Sequence, residues 1–464
     1  MKRRVAWALV MSTGLLAGAA RSAPPPRYGG VLGLYASDRT FPFAQEQLEA
    51  LTREPLFRRG PDGAPVPVLA RSLESVGGEL RLVLRDDVLL HDGRRLDAPG
   101  VVGWLEDLAQ PGARRGHLVL PLEGARLRLS GQSAALGARV IDAHTVGLRL
   151  AHPFPDLARL WAGPRSGLEF SRGQKRAGTG PFFLGRHPLE VRAFSHHREG
   201  RPYVDGVELQ RVASDFGLET RAGGKDAWVL GAGVTECPSW ALFPVLLVRG
   251  TAPARVRVDQ LIDRPRLARR FLPPGSKPAR RFFGAPRPTA GADRRALDAV
   301  LLPGRSPGAN TLAKRIQLDL TRGGVTTAIA REPQPGSTLV LELITLALEV
   351  PAQPLDRLTM LMGLAARLGR AEAIPAGRLQ SLAASPAWRH GALVDRLEAE
   401  LRETLNLVLL ARIPIMGETP VESETHSPCR LAAADVPGPR GRGSASLGAR
   451  PRAGRRAPRV ARPA

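Results

Sequence analysis

Residues 80–93 read LRLVLRDDVLLHDG and combine a strand pattern with a turn. Leu80, Leu82 and Leu84 recur at every second position, which is the period of a half-buried β-strand. Acidic residues and a glycine in 85–93 supply the chemistry of turns. A helix is predicted next, over about 99–109, because the apolar residues there recur on one face. A strand, a turn and a helix in this order indicate a mixed α/β fold.

The same mixture of elements continues outward along the chain. Helical periods are predicted at 256–271, 312–320, 356–370 and 390–410. Strands are predicted at 139–150, with an internal turn at 142–144, and at 299–302, 325–330 and 339–346. No motif recurs at a fixed period, so the pattern does not predict a repeat protein.

The composition is that of an ordinary soluble protein. Of the 464 residues, 43% are hydrophobic and 24% are charged, and the length suggests two or three domains. The formal charge is +24 and comes mostly from arginine. An excess of Arg, Ala, Gly and Pro is typical of a GC-rich genome as much as of a selected function. The two cysteines, Cys237 and Cys429, provide neither a disulfide framework nor a metal-binding CxxC set.

Both ends of the chain are predicted to lie outside the folded part. Residues 1–23 resemble a signal peptide, with a basic start, an apolar run over about 5–20 and small residues before a proline cluster. A membrane anchor is the alternative, but the run is short for a bilayer span. No Cys lies near the cleavage region, so a lipoprotein is not expected, and either Sec or twin-arginine export would fit. We expect a periplasmic or otherwise extracytoplasmic protein that is soluble after cleavage.

The C-terminal segment 429–464 is predicted to be a disordered tail rich in Arg, Pro, Gly and Ala. From Arg430 onward it contains nine arginines against the single acid Asp435. Two interpretations of this tail stay open. It either adheres weakly to anionic surfaces, or it is non-native read-through of GC-rich sequence without a function.

Eight segments, taken in order, resemble one protein family. They are EPLF (54–57), DGAPVPVLA (62–70), LRDDV with HDG (84–93), IDAHTV (141–146), GTGPF (178–182), GRPYVD (200–205), IDR (262–264) and the helix at 312–320. In these segments the chain is similar to the extracytoplasmic solute-binding proteins of peptide-type ABC importers. This is solute-binding protein family 5, the oligopeptide-, dipeptide- and nickel-binding type.

The resemblance implies an α/β, two-lobed periplasmic-binding-protein type II fold, with an inserted subdomain and a hinge between the lobes. Lobe I would be discontinuous and would combine 24–55, 178–245 and 403–428. The inserted subdomain would span 56–177, and lobe II would span 246–402.

The resemblance also implies a function. The protein would be the solute-binding component of an ABC importer, and a monomer. It would capture a small solute, either a peptide or a peptide-like molecule, in the interlobe cleft. It would then deliver this solute to a membrane permease that works with an ATPase. No enzyme activity, cofactor, metal or specific nucleic acid is implied.

Two segments depart from the family pattern. Residues 194–198 read FSHHR, where the family has an Asn and an aromatic residue. The tandem histidines could bind a metal, or they could be solvated loop residues, since no carboxylate or Cys lies at ligand spacing. In peptide-binding members an Asp in a Trp-rich stretch holds the amine of the ligand. The corresponding stretch, 343–356, has no Trp and no Asp before Asp356, so a solute class other than peptides stays open.

Four residues are predicted to bind the ligand: Tyr35, Trp161, Arg249 and Glu349. Glu349 is the nearest carboxylate that could replace the missing Asp, because a buried amine needs a charged partner. Tyr35 and Trp161 offer flat apolar faces with a polar edge. Arg249 follows an apolar strand and could attract an anionic group. Trp104, Trp228 and Trp240 could also line a cleft, and a position in the core is the alternative for all five aromatic residues.

Two further functional classes can be weighed against solute binding. The stretch 304–308 matches the GxSxG pattern of hydrolases, but Pro307 lacks the backbone N–H that an oxyanion hole requires. The alternative function is that of a basic extracytoplasmic protein that binds polyanions, or of a degenerate relative without a transport role. Arginine would neutralise anionic groups there, with steep salt dependence.

Overall fold

A computed structural model describes most of the chain. The described residues are 29–38, 40–60, 62–163, 165–172, 175–213, 218, 227–283, 297–304, 308–333 and 337–418. The predicted signal peptide (1–23), the predicted tail (429–464) and Pro307 of the GxSxG match lie outside this part.

The described part contains nineteen strands. They are β1 (Val31–Ser37), β2 (Phe57–Arg59), β3 (Pro65–Pro67), β4 (Ala70–Val76), β5 (Glu79–Leu84), β6 (Ala138–Val140), β7 (Thr145–Leu148), β8 (Glu169–Arg172), β9 (Lys175–Gly178), β10 (Phe182–Leu184), β11 (Glu190–Ala193), β12 (Gly206–Val212), β13 (Ala227–Arg249), β14 (Lys277–Pro278), β15 (Leu297–Leu302), β16 (Val325–Ile329), β17 (Leu339–Glu349), β18 (Leu407–Leu409) and β19 (Ala411–Glu418).

The helices lie between these strands. They are α1 (Phe41–Ala50), α2 (Ala98–Leu108), α3 (Ala125–Leu129), α4 (Leu157–Leu160), α5 (Ala252–Leu261), α6 (Arg264–Phe271), α7 (Ala309–Arg322), α8 (Pro354–Arg367), α9 (Ala376–Ala383) and α10 (His390–Thr404). Short 3₁₀ turns occur at Gly116–Leu118, Ala371–Ala373 and Ala387–Arg389.

The strand β13 joins the two ends of the largest sheet. This sheet has 11 strands, and its main path runs β10-β11-β12-β1-β13-β17-β15-β16. The start of β13, Ala227–Leu230, is parallel to β1, whereas Trp240–Arg249 is antiparallel to β17. The strands β18 and β19 also pair with β13. The single long strand therefore passes from one half of the molecule to the other.

A second sheet lies within the predicted inserted subdomain. It has four strands in the order β4-β5-β7-β6, while β2-β3 and β8-β9 form separate hairpins. On β5 the side chains of Leu82 and Leu84 are buried and Arg81 is exposed, as the alternation in the sequence predicts. The helix α2 follows this strand, and the carboxylate of Asp97 accepts a hydrogen bond from the Gly100 N–H at its start.

The largest hydrophobic core crosses the predicted boundary between the inserted subdomain and lobe II. Buried residues of 56–177 form one cluster with residues of α8, α9 and α10. A second cluster lies around α1 and β1, and a third holds α5, α6 and α7 against the sheet. The inserted segment and α8 are therefore in direct contact.

Most of the predicted elements are confirmed, but two are wrong in detail. The single helix predicted over 256–271 is two helices, α5 and α6, with a break at Ile262–Asp263. The Asp263 carboxylate accepts from the Arg266 N–H at 3.1 Å, and Pro265 occupies the first turn, so a new helix begins there. The helix predicted over 390–410 ends at Thr404, before the strand β18, whereas the strand with an internal turn predicted over 139–150 is confirmed as the hairpin β6-β7.

Candidate functional site

A small cavity lies where the inserted segment meets the end of β17 and the helix α8. Its volume is about 40 Å³, which holds only a few water molecules. The surrounding residues come from segments far apart in the sequence. They are Arg59, His117, Leu118, Gly163, Arg165, Ser166, Trp240, Ala347, Leu348, Glu349, Thr359, Met360 and Gly363.

Glu349 and Arg59 meet at one side of this cavity. Glu349 is the last residue of β17, and its pairing opposite Trp240 places it at the middle of β13. Its carboxylate lies 2.6 Å from Nη1 of Arg59, which is the last residue of β2. The two side chains are 17% and 14% exposed, so water screens the pair only partly.

Asp356 extends this contact into a network of four side chains, Arg59, Arg159, Glu349 and Asp356, which we call the closure network. The Asp356 carboxylate is buried and lies 3.3 Å from both Nε of Arg59 and Nη1 of Arg159. Nη1 of Arg159 also donates to the carbonyl oxygen of Gly63 at 2.7 Å. A buried carboxylate needs such partners because its desolvation is costly. The network joins the basic side of the inserted segment to the acidic side of β17 and α8.

His117 contributes an uncharged imidazole to the cavity. It lies in a 3₁₀ turn, is 4% exposed, and faces Gly363 of α8 so closely that a Cβ there would lie 3.4 Å from Nε2. Burial lowers the pKa of His117 to about 3, and the nearby Arg165 and Arg115 guanidinium groups act in the same direction. Within the described part of the chain, Nδ1 of His117 has no hydrogen-bond partner.

Arg165 connects the cavity to the helix α1. Its Nε and Nη2 atoms donate to the two carboxylate oxygens of Glu46. This paired geometry fixes the guanidinium group beside the cavity. The cavity is therefore bordered by segments of the inserted subdomain, by β17 and α8, and, through Arg165, by the first part of the chain.

The structure brings only one of the four predicted ligand residues to the cavity. Trp161 has no exposed surface, and its Nε1 donates to the Leu118 carbonyl oxygen at 3.0 Å. The indole is packed inside the largest core, which is the alternative that the sequence leaves open for Trp161. Trp240 lines the cavity instead.

Tyr35 and Arg249 lie elsewhere. Tyr35 packs against a small cluster formed by Leu218 and Val229, with its ring over Gly33 of the same strand. Arg249 is opposite Val340 at the far end of the β13-β17 ladder, about 30 Å from Glu349 at the usual rise of a strand. Its side chain is exposed and pairs with Glu342 at 3.1 Å.

The histidines flagged in the sequence have structural partners. His91 uses both ring nitrogens, with Nε2 2.8 Å from the Gly180 carbonyl oxygen and Nδ1 accepting from the Gly178 N–H at 3.2 Å. His197 is buried 3.3 Å from Glu54, and His196 lies 3.1 Å from the Ser195 hydroxyl. Within the described residues, no group of three or more potential metal ligands is present.

A larger surface hollow of about 570 Å³ lies near His91 and is a weaker candidate. Its charged side chains already pair with one another. Asp92 pairs with Arg94, and Glu169 lies within 4 Å of guanidinium groups of Arg53, Arg115 and Arg176. A solute there would have to compete with these contacts.

Comparisons with known proteins find similar solved structures, but no matching family model or curated sequence. A scan of protein-family models finds no match, and neither does a search of curated proteins. Solved structures do match. The Escherichia coli murein tripeptide binding protein MppA has a TM-score of 0.62 at 15% identity, over 83% of this chain and 94% of that one. Two others are the substrate-binding domain of an oligopeptide ABC transporter from Bacillus anthracis and NikA from Staphylococcus aureus in complex with Ni(L-His)2.

The Bacillus anthracis domain has a TM-score of 0.61 at 15% identity and covers 84% of this chain and 95% of its own. The Staphylococcus aureus protein has a TM-score of 0.61 at 13% identity and covers 85% and 96%. The chain has the two-lobed periplasmic-binding-protein fold. This fold confirms the architecture predicted from the sequence motifs. Among the described residues, no helix has the length and apolar character needed to span a bilayer.

Proposed function

We propose that the protein is the solute-binding component of an ABC importer. Outside the cytoplasm, it captures a small solute between its lobes and passes it to a membrane permease that works with an ATPase. The observation that carries this proposal is the cavity at the boundary of the inserted segment, β17 and α8, in which Arg59 and Glu349 meet. The two-lobed fold supports it, because three solved proteins of this fold are named as binding proteins or complexes.

The proposal includes the domain limits inferred from the sequence. Lobe I comprises 24–55, 178–245 and 403–428, with 56–177 inserted and 246–402 forming lobe II. The strands β13 and β19 connect the two halves, which suits a hinge. Because the cavity of about 40 Å³ is far below the 300–1,000 Å³ of ordinary ligand sites, the lobes must open before a solute enters.

The charges around the cavity define which solutes fit. Arg59, Arg165 and the carboxylate of Glu349 line the cavity, and Arg159 and Asp356 extend the charged network beyond its wall. A solute with both a cationic and an anionic group would replace these contacts one for one. The uncharged His117 adds a hydrogen-bonding group without adding charge. A small zwitterionic solute, peptide-like or not, satisfies this arrangement.

A thermal-shift screen tests the proposal with peptides, amino acids, sugars and metal chelates at moderate salt. A specific ligand at 100-fold excess over Kd stabilises the folded state by about 2.7 kcal/mol. We expect one class to raise Tm in the native protein and in Glu342→Gln, but not in Glu349→Gln. Glu342→Gln is the matched control, because Glu342 is on the same strand and pairs with the distant Arg249. A full panel without any shift would refute solute binding.

A further inference from the structure

The outer faces of α6 and α7 form a basic surface. On α7, Lys314, Leu318 and Arg322 recur at helical spacing and are exposed. On α6, Arg269 and Arg270 are exposed. We call this surface the basic patch, and define it by Arg266, Arg269, Arg270, Phe271, Lys314, Leu318 and Arg322.

The two helices lie side by side, so their outer faces are continuous. The guanidinium carbon of Arg315 on α7 is 5.8 Å from the centre of the Phe271 ring at the end of α6. At the other end of α6, the Asp263 N–H donates to the Asp319 carboxylate at 3.2 Å. Two contacts at opposite ends of α6 place it alongside α7.

Two apolar side chains protrude from the basic patch. Phe271 is 38% exposed and Leu318 is 42% exposed. Leu318 is three residues after Arg315, whose guanidinium group touches the Phe271 ring, so both apolar groups are on the same region of the surface. Neither side chain belongs to the hydrophobic core. The core contacts of α6 and α7 are made by other residues, including Leu267, Ile316 and Leu320.

The acidic residues of this region do not neutralise the patch. The Asp319 carboxylate is buried and pairs with Arg315. The exposed Asp263 carboxylate accepts from the Arg266 N–H as a helix cap and offsets one of the five positive charges of the patch. In the described part of the chain, Arg269, Arg270 and Lys314 form no ion pair. Positive charge on this face is therefore available to an external anion.

We propose that the basic patch docks the protein on an anionic phospholipid surface. Lysine and arginine side chains beside a bilayer are attracted to acidic headgroups, and protruding apolar side chains enter the interface between headgroups and acyl chains. Phe271 and Leu318 in the midst of the cations favour a lipid surface over a soluble polyanion, which offers no apolar phase. This docking does not rest on solute binding, because the patch lies outside the cavity.

Vesicle co-sedimentation of the full mature protein tests the proposal. The vesicles contain equal parts of phosphatidylglycerol and phosphatidylcholine, with pure phosphatidylcholine as the comparison. The variant Arg269→Glu/Arg270→Glu is expected to bind the anionic vesicles at least tenfold more weakly than the native protein. The matched control is Arg81→Glu/Arg186→Glu, which makes the same charge change at two exposed arginines elsewhere. Both double variants keep the C-terminal tail and its arginines unchanged.

A second variant tests the apolar part of the patch at constant charge. Phe271→Ser/Leu318→Ser is expected to weaken binding to anionic vesicles several-fold, with the salt dependence retained. Circular dichroism and thermal unfolding verify that each variant is folded. Equal losses in the two double-charge variants would overturn the proposal in favour of attraction through total charge. Absence of binding by the native protein, or full binding by the serine variant, would overturn it as well.

Discussion

The carboxylates of Glu349 and Glu342 lie on the same strand, yet they have different surroundings. Glu349 is 17% exposed and contacts Arg59, whereas Glu342 is 35% exposed and contacts Arg249, which is itself exposed. An ion pair that is mostly removed from water interacts more strongly than an exposed one, because the exposed pair is screened. The same residue type therefore contributes differently to stability at these two positions of β17.

Glu349→Gln is expected to lower the free energy of unfolding by about 1 to 2 kcal/mol, because Arg59 then keeps only Asp356 as a charged partner. Glu342→Gln is expected to lower it by less than about 1 kcal/mol. Urea unfolding of the two variants measures the difference. Equal losses would show that the Arg59–Glu349 contact is no stronger than a surface pair.

His117 is expected to make stability depend on pH. Its pKa falls from an ordinary 6.5 to about 3 on folding, so between these values the unfolded chain binds more protons than the folded one. Stability from this residue is present above pH 6.5 and is lost as the pH falls toward 3. The slope contributed by one group is at most about 1.4 kcal/mol per pH unit.

The variant His117→Asn should reduce the slope of the unfolding free energy against pH by an amount that corresponds to at most one bound proton. Unfolding free energies measured by urea titration between pH 4 and pH 7, roughly the window given by the two pKa values, provide the comparison. The control is His187→Asn, which removes an exposed imidazole. An unchanged slope in His117→Asn, or an equal loss of slope in the control, would contradict the assignment.

At the scale of elements, the segment from β9 to β10 approaches the end of α1 very closely. A Cβ at Gly178 would lie 2.0 Å from the Thr52 carbonyl oxygen, and one at Gly180 would lie 2.3 Å from the Leu51 carbonyl oxygen. His91 completes the contact through hydrogen bonds to the backbone of both glycines. The GTGPF motif thus allows two main-chain segments to touch, which is a use of glycine that needs no positive φ.

Gly178→Ala is expected to destabilise the protein by roughly 2 to 4 kcal/mol, because the main chain must move to admit the methyl group. Gly103→Ala is the control, since Gly103 is on α2 and a Cβ there meets nothing within 4 Å. In that helix the alanine should be neutral or stabilising by up to about 1 kcal/mol. Thermal unfolding measures both. A mild effect at Gly178 would mean that the two segments separate easily.

At the scale of the whole molecule, closure depends on both apolar packing and charge. The largest core joins the inserted segment to α8, α9 and α10, and the closure network lies at the edge of this contact. With the proposed lobe limits, opening the lobes separates buried apolar surface, the buried Asp356 carboxylate and the partly exposed Glu349 carboxylate from their partners. A solute must offset these losses with contacts of its own.

Gly363→Leu is expected to hold the lobes apart, because its side chain would point at His117 across a cavity of only about 40 Å³. Small-angle X-ray scattering should show a larger radius of gyration than for the native protein. Gly377→Leu is the control, because a Cβ at that exposed position meets nothing within 4 Å. Equal radii for native protein and Gly363→Leu would mean that α8 yields locally without opening.

Much of the fold could be predicted from local patterns. The alternation in 80–84 predicts β5, and the apolar face in 312–320 predicts α7, because side-chain spacing decides which face is buried. The break at Asp263 was missed, although an Asp followed by a proline two residues later is a helix-start signal. Apolar periodicity continued across it and concealed the second cap.

The candidate site depended on contacts that no local pattern records. Glu349 could be selected as a carboxylate near the expected position, but its partner Arg59 is 290 residues away in sequence. Trp161 and Trp240 have the same side chain and both are buried, and only their neighbours place the first inside the largest core and the second in another core beside the cavity. The sequence by itself determined the elements, the order of motifs and the fold class, since these follow from short-range spacing. The tertiary structure alone decided which charges face each other, because burial and pairing are set by chain segments that meet only after folding.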